Sequence, residues 1–383
     1  MTIFATISSF EWQASGTGHD GRAQLKTIFL KGFLMMTGGI FGQEQLVEAN
    51  GHQFLVYARL KAGAPTIVFL PGGAHLARIA YGHPGARETD FLDSHLRESN
   101  VGLLAISYPG SHPVFTKADP LMTLTEWAEG VAAVCSEFAG DGPVLLAGWS
   151  MAGKIVFRLS RALKERGIRL TGFVAMAARP PWPGLSPRRL EGEPVRPDGF
   201  WDSSAYDPML AKGLEEANRL AGHVVINPEE RKEFYCTSGP LMLRAEVDRL
   251  GIDGPYQSLE AALQDSDGFA FQHAPLCATI SPTLCSDPEQ ALAGPATWNA
   301  IALTGLMRNH LAGLEFSRLS SSSWDWLRNL AQTWPVEMNC SVEGGHFFFV
   351  GEDGAKATAR ALIQFNDRLS SVIVELNRLR LQG

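Results

Sequence analysis

The sequence predicts an α/β fold, in which a mostly parallel sheet is flanked by helices and interrupted by a mainly helical insertion. Short apolar runs alternate with amphipathic stretches over residues 43–182, which is typical of parallel strands buried on both faces. A Gly-x-Ser-x-Ala turn at Ser150 joins an apolar run directly to a helical pattern. A cluster of prolines then ends the alternation beyond residue 179.

Composition narrows the class of protein. The chain has 383 residues, enough for one large domain with an insertion or for two domains. Hydrophobic residues make up 45% and charged residues 19%, as in a folded globular protein. The net charge of −7, without a block of like charge, argues against a nucleic-acid partner. No apolar run reaches the length of a membrane span.

The five cysteines indicate the compartment. They are scattered, odd in number and without a CxxC pair, so we expect reduced thiols and a cytoplasmic protein. No metal site is expected, since His and Cys do not cluster at ligand spacing.

Residues 1–42 are predicted to be an N-terminal extension. The apolar stretch 28–36 is short and follows Glu11 and Asp20, which makes a poor signal peptide. Two interpretations stay open: an arm that packs on the domain or a partner, and a natural start at Met35 or Met36.

The elements of the first core segment follow in order. Two short strands within 46–58 surround Asn50-Gly51, a strong hairpin signal. Buried strands are then predicted at 66–70, 101–107, 144–149 and 172–177, with helices at 89–98, 124–138 and after Ser150.

The second half predicts a cap and then a return to the sheet. Helical patterns at 209–220, 229–236 and 241–250, without strand alternation, indicate a helical cap over residues 183–294. The sheet is expected to resume with a strand at 299–305, a helix at 324–334, a strand at 337–342 and a closing helix at 355–381. The core is therefore predicted to be 43–182 and 295–383.

Ser150 is the candidate nucleophile. A strand–turn–helix with Ser at its apex is a nucleophile elbow, and Gly148 and Ala152 are small, as its crowded turn requires. The first amides of the next helix then point at the space above the hydroxyl. The alternative is a buried Ser in an ordinary turn.

A hydroxyl needs a base, and His346 is the best candidate. It follows the last predicted strand after two glycines, which free the loop to place an imidazole over the elbow. The backbone amides of Met151 and Gly73 are the candidate oxyanion donors. The other histidines near this face, His75, His83 and His112, are expected to be solvated or to line a pocket.

These segments together resemble the α/β-hydrolase family. The resemblance covers about residues 43–182 and 295–383 and is carried by Pro71-Gly72-Gly73, by 148–153 and by Gly344-Gly345-His346. It implies Ser150 as nucleophile, His346 as base, and Gly73 with Met151 as oxyanion donors. The chain's ending, from Trp326 to Phe348, resembles that of type II thioesterases, whereas the cap and the longer N-terminus do not.

The acid of the triad has several candidates. Family members usually place Asp or Glu after the seventh strand, and the first carboxylate after Gly305 is Glu315, which we favour. Asp325 is an alternative in a helical stretch. Asp287 fits only if the seventh strand is instead 279–285.

The predicted function is a serine hydrolase (EC 3.1) that cleaves a carboxylic ester, thioester or lactone with an apolar acyl part. No cofactor is required, the partner is the small-molecule substrate, and a homodimer stays open. The alternatives are a carbon–carbon bond hydrolase or acyl transferase on the same site, and a non-catalytic ligand-binding protein on this scaffold.

Overall fold

The computed structural model describes residues 39–140, 142–182, 194–244 and 259–382. The predicted extension therefore lies almost wholly outside the described residues. Eight strands form one sheet in the order β1-β2-β4-β3-β5-β6-β7-β8. The strands are β1 (Glu44–Ala49), β2 (His52–Arg59), β3 (Thr66–Leu70), β4 (Gly102–Ser107), β5 (Val144–Trp149), β6 (Leu170–Met176), β7 (Cys277–Pro282) and β8 (Asn339–Val342).

The sheet is mostly parallel, which confirms the predicted fold class. The pairs β1–β2 and β2–β4 are antiparallel, and every other neighbouring pair is parallel. The predicted hairpin is β1–β2, and its turn residues Asn50 and Gly51 have φ of 50° and 79°. Such a left-handed pair matches the twist of the flanking strands.

Helices cover both faces, so the central strands β3, β4, β5 and β7 are buried along their whole length. The longer α-helices are α1 (Leu92–Glu98), α2 (Leu124–Phe138), α3 (Val156–Glu165), α4 (Asp207–Ala221), α5 (Leu259–Ser266), α6 (Pro288–Leu292), α7 (Gly294–Gly305), α8 (Ser321–Glu337) and α9 (Glu352–Gln382).

One strand was predicted in the wrong place. Residues 299–305 belong to α7, and its buried residues Trp298, Ile301, Ala302 and Gly305 recur at spacings of three and four, which is one face of a helix. The seventh strand is Cys277–Pro282, between β6 and β8. Its polar Thr279 and Ser281 interrupt the apolar run, so the criterion of continuous apolar residues does not find it. The predicted limit of the cap at residue 294 is therefore wrong.

Residues 194–244 and 259–271 are together called the inserted segment below, and the first of these stretches lies over the loops that follow β3 and β4. The amide of Leu76 donates to the carbonyl of Tyr235 at 2.8 Å, and the amide of Thr237 donates to that of Ala74 at 3.0 Å. Its helical pieces are α4, α5 and the short turns Pro228–Glu230, Arg231–Tyr235 and Leu241–Leu243. We propose that this segment is the cap; residues 183–193 and 245–258 lie outside the described residues.

Candidate active site

Ser150 follows β5 in a strained backbone conformation. Its φ is +54°, in the left-handed region that a non-glycine residue adopts only when its surroundings impose it. The amide of Arg179 donates to its carbonyl at 2.8 Å and helps to hold the turn. A Cβ on Gly148 would lie 2.5 Å from Cε2 of Phe173, so packing between neighbouring strands demands glycine there. This is the geometry of a nucleophile elbow.

His346 and Asp287 meet beside this elbow. Nδ1 of His346 donates to Oδ2 of Asp287 at 2.6 Å, and the two side chains are 29% and 13% exposed. Asp287 follows β7 and His346 follows β8, so parallel pairing brings their loops to one edge of the sheet. The amides of Thr283 and Leu284 both donate to the carbonyl of Gly344, which ties the two loops together.

The two other candidate acids do not pair with His346. Glu315 is about half exposed and pairs with Arg318 at 2.9 Å. Asp325 is exposed on α8 and faces Arg328 at 3.5 Å. The choice of Glu315 is therefore wrong, because it depended on the misplaced seventh strand. Asp287 fits the family pattern only with a seventh strand at 279–285, and the observed β7 overlaps that range.

Trp149 connects the elbow to His346. Its indole N–H donates to the carbonyl of His346 at 3.1 Å, and the two ring centroids are 5.2 Å apart. Trp149 also contacts His75 and Phe347, whose ring centroids lie 5.0 and 5.3 Å from its own. No sequence motif signals this hydrogen bond between Trp149 and the His346 loop.

The predicted oxyanion loop lies against the elbow. A Cβ on Gly72 would lie 2.8 Å from Cβ of Ser150, and one on Gly73 would lie 3.5 Å from Sδ of Met151. The hydroxyl of Tyr108 donates to the carbonyl of Gly72 at 3.1 Å and holds the loop from below. The structure therefore places the Gly72-Gly73 loop against both Ser150 and Met151.

His75 is buried rather than solvated. Its Nδ1–H donates to the carbonyl of Gly73 at 3.0 Å, and only 1% of the residue is exposed. Burial lowers the pKa of His75 to about 3, so the ring is neutral at physiological pH. His75 is therefore a structural support of the oxyanion loop.

The inserted segment adds two charged residues that the sequence analysis missed. The guanidinium of Arg244 lies against Gly73, because a Cβ on this glycine would overlap it. Oε2 of Glu216, on α4, accepts a hydrogen bond from Ser286 at 2.7 Å, beside Gly345. Neither residue stands in a recognisable motif, since each acts through a side chain brought in by tertiary packing.

The arrangement suits nucleophilic chemistry at a carbonyl group. It holds a Ser on a strained turn, a His oriented by a carboxylate and a glycine loop packed against that turn. Within the described residues, no group of three His, Cys, Asp or Glu side chains is placed to hold a metal ion. In the same part of the chain, no helix combines the length and apolarity that a bilayer crossing requires.

The sequence matches the thioesterase-domain family over residues 85–223, a little over a third of the chain. The matched stretch includes Ser150 and ends before Asp287 and His346. No curated protein matches the sequence.

Several solved structures are similar to the chain at low identity. An esterase from Thermogutta terrifontis is 11% identical, with a TM-score of 0.42, over 86% of this chain and 100% of its own. The thioesterase domain of the curacin biosynthetic pathway is 12% identical, with a TM-score of 0.43, over 84% and 98%. An epoxide hydrolase from Vigna radiata is 14% identical, with a TM-score of 0.44, over 85% and 97%. Similarity at this level does not extend to the reaction.

The sheet order, the turn at Ser150 and the thioesterase-domain match over residues 85–223 all fit the α/β-hydrolase superfamily. They support a hydrolase of the α/β type.

Proposed function

We propose that the chain is a serine hydrolase that cleaves a carboxylic ester, thioester or lactone through an acyl-enzyme. Ser150 is the nucleophile, His346 the general base and Asp287 the acid that orients it. The observation that supports this most is the 2.6 Å hydrogen bond between His346 and Asp287 at the edge of the sheet where Ser150 turns.

The hydrogen bond to Asp287 determines what His346 can do. A carboxylate only accepts, so the Nδ1 proton stays on the ring and Nε2 carries the lone pair. Nε2 takes the proton of Ser150 as Oγ attacks the carbonyl carbon, and the Asp287 carboxylate stabilises the imidazolium that forms.

The backbone amides of Gly73 and Met151 hold the oxyanion of the tetrahedral intermediate. The imidazolium then returns its proton to the leaving alcohol or thiol as the bond to it breaks. In the deacylation step, water loses a proton to His346 and attacks the carbonyl carbon of the acyl-enzyme. The bond to Oγ then breaks, His346 returns the proton to Oγ, and the acid leaves with Ser150 restored. Every proton that His346 takes up is given back, so the cycle needs no cofactor.

Buried apolar side chains around the elbow favour an apolar acyl part. Met151 and Phe347 are 3% and 2% exposed, and both lie beside the residues assigned to the reaction. These side chains provide the apolar surface that small-molecule sites commonly use to bury a ligand.

A Ser150→Ala variant tests the proposal. Turnover of a p-nitrophenyl ester should fall by at least about 10³-fold, and a fluorophosphonate probe should label Ser150 in the native protein only. Ser160→Ala, on α3, is the matched control and should keep both properties.

Unchanged turnover in Ser150→Ala, or no labelling of the native protein, contradicts the proposal. Absence of labelling supports the ligand-binding alternative instead. Product analysis separates ester hydrolysis from acyl transfer and from carbon–carbon bond cleavage.

A further inference from the structure

We propose that Arg244 binds a carboxylate carried by the acyl part of the substrate, a few bonds from the carbonyl that Ser150 attacks. The inference rests on the proposed function for the identity of the reaction, but the binding of an anion by Arg244 can be tested separately.

Arg244 reaches the site from the inserted segment. A Cβ added to Gly73 would overlap Nη1 of Arg244 and would lie 3.5 Å from Sδ of Met151. The guanidinium is therefore next to both residues whose amides we assign to the oxyanion. Glycine at position 73 is what allows the side chain to come so close.

Aromatic rings hold the guanidinium in place. Its Cζ lies 3.8 Å from the ring centroid of Trp201 and 5.3 Å from that of Tyr206. Trp201 is only 1% exposed, so this platform is fixed by packing. A stacked guanidinium loses little further freedom when it pairs with a ligand, because its planar fork is already oriented.

No carboxylate among the described residues forms an ion pair with Arg244, and its Nε is buried without a hydrogen-bond partner there. The nearby acids of the same segment are engaged elsewhere: Asp207 pairs with Arg231 at 2.6 Å, and Asp202 accepts from Ser204 at 2.6 Å.

A second cation lies beside Arg244. The buried ammonium of Lys154, in the turn after Ser150, donates to the carbonyl of Arg244. A partly buried guanidinium that has no counter-charge among the described residues is unfavourably placed, and an anionic ligand would compensate it.

The geometry of the guanidinium indicates that the substrate group it binds is a carboxylate. A guanidinium pairs with a carboxylate through two parallel N–H···O bonds, which fixes orientation as well as charge. Because Arg244 touches Gly73, the carboxylate must lie close to the scissile carbonyl. The substrate class is therefore a monoester or monothioester of a short dicarboxylic acid.

The test compares two esters that differ only in this charge. Mono-p-nitrophenyl glutarate and its methyl ester are hydrolysed by the native protein and by Arg244→Gln, with spontaneous hydrolysis subtracted. The ratio of kcat/KM for the anionic over the neutral ester should fall on the order of 30–100-fold in Arg244→Gln. Arg196→Gln removes the same charge from an exposed position of the same segment and should keep the ratio.

An equal loss on both esters overturns the inference, since it would show Arg244 acting on the oxyanion or on the fold. An unchanged ratio overturns it as well. If neither ester is turned over, the proposed function fails, and calorimetric titration with glutarate still tests Arg244. Binding by the native protein and not by Arg244→Gln supports the site, and equal or absent binding contradicts it.

Discussion

The two halves of the candidate active site are built differently. On the sheet side, Gly73, Ser150, Asp287 and His346 each stand within five residues of the end of a strand. On the side of the inserted segment, Arg244 and Glu216 arrive through long side chains from a loop and from α4. Strand register thus places the groups that we propose take part in the reaction. Side-chain packing places the groups that we expect to select the substrate and to support the loops of Asp287 and His346.

The comparison suggests that the sheet side and the inserted segment have different roles. Parallel strands fix backbone positions at their carboxyl ends, which a reaction that depends on sub-ångström geometry needs. An insertion between two strands can change its side chains without disturbing that register. Loss of a sheet-side group should therefore abolish chemistry, while loss of a group from the inserted segment should alter selectivity or rate only in part.

The largest expected effect on activity distinguishes Asp287 from Glu315 as the acid that pairs with His346. Asp287→Asn should lower kcat on the order of 10³–10⁴-fold, because an amide no longer stabilises the imidazolium or its tautomer. Steady-state kinetics with a p-nitrophenyl ester measure it. Glu315→Gln, which changes an exposed carboxylate in the same way, should stay within about two-fold. Similar losses in the two variants would remove Asp287 from the triad.

Low pH should weaken the contact between the sheet side and the inserted segment, and so lower the stability of the protein. Nε2 of His112, from the loop after β4, donates to the carbonyl of Glu233 at 2.9 Å, while its Nδ1 accepts from the amide of Val114 at 3.1 Å. Burial lowers the pKa of His112 to about 4. Its contribution to stability is therefore complete above the usual pKa of 6.5 and is lost as pH falls toward 4.

Thermal unfolding measures this effect. Tm should fall by about 2 °C or more between about pH 7.5 and about pH 5, and the fall should be shallower in His112→Asn. His223 of the inserted segment is the control. Its hydrogen bond with Asp90 raises its pKa, so this residue adds stability as pH falls, opposite to His112. His223→Asn should make the fall steeper. A fall as steep in His112→Asn as in the native protein contradicts the assignment.

The smallest expected effect concerns Glu216. It contacts Ser286, which precedes Asp287, and lies against Gly345, which precedes His346. Glu216→Ala should lower kcat by about 3–10-fold with little change in KM, because both loops lose a support. Glu216→Gln keeps an acceptor and should restore most of kcat. Exposed Glu215→Ala should have no effect, and equal values for all three variants would exclude a positioning role.

Much of the fold follows from local pattern. The Asn50-Gly51 turn, the strand before Ser150 and the helix at 124–138 are encoded by neighbouring residues, and the structure confirms all three. The seventh strand fails this criterion. It is partly polar, and it is a strand because β6 and β8 flank it, whereas the more apolar run 299–305 packs as a helix.

For the candidate site, the sequence by itself was enough to propose Ser150, the glycine loop and His346, because each stands in a local motif at the end of a predicted strand. Only the tertiary structure decided that Asp287 rather than Glu315 faces His346. It likewise decided that Arg244 and Glu216 reach the same place from the inserted segment. The physical reason is that backbone conformation is set by residues near in sequence, whereas the pairing of side chains depends on elements that are distant in the chain.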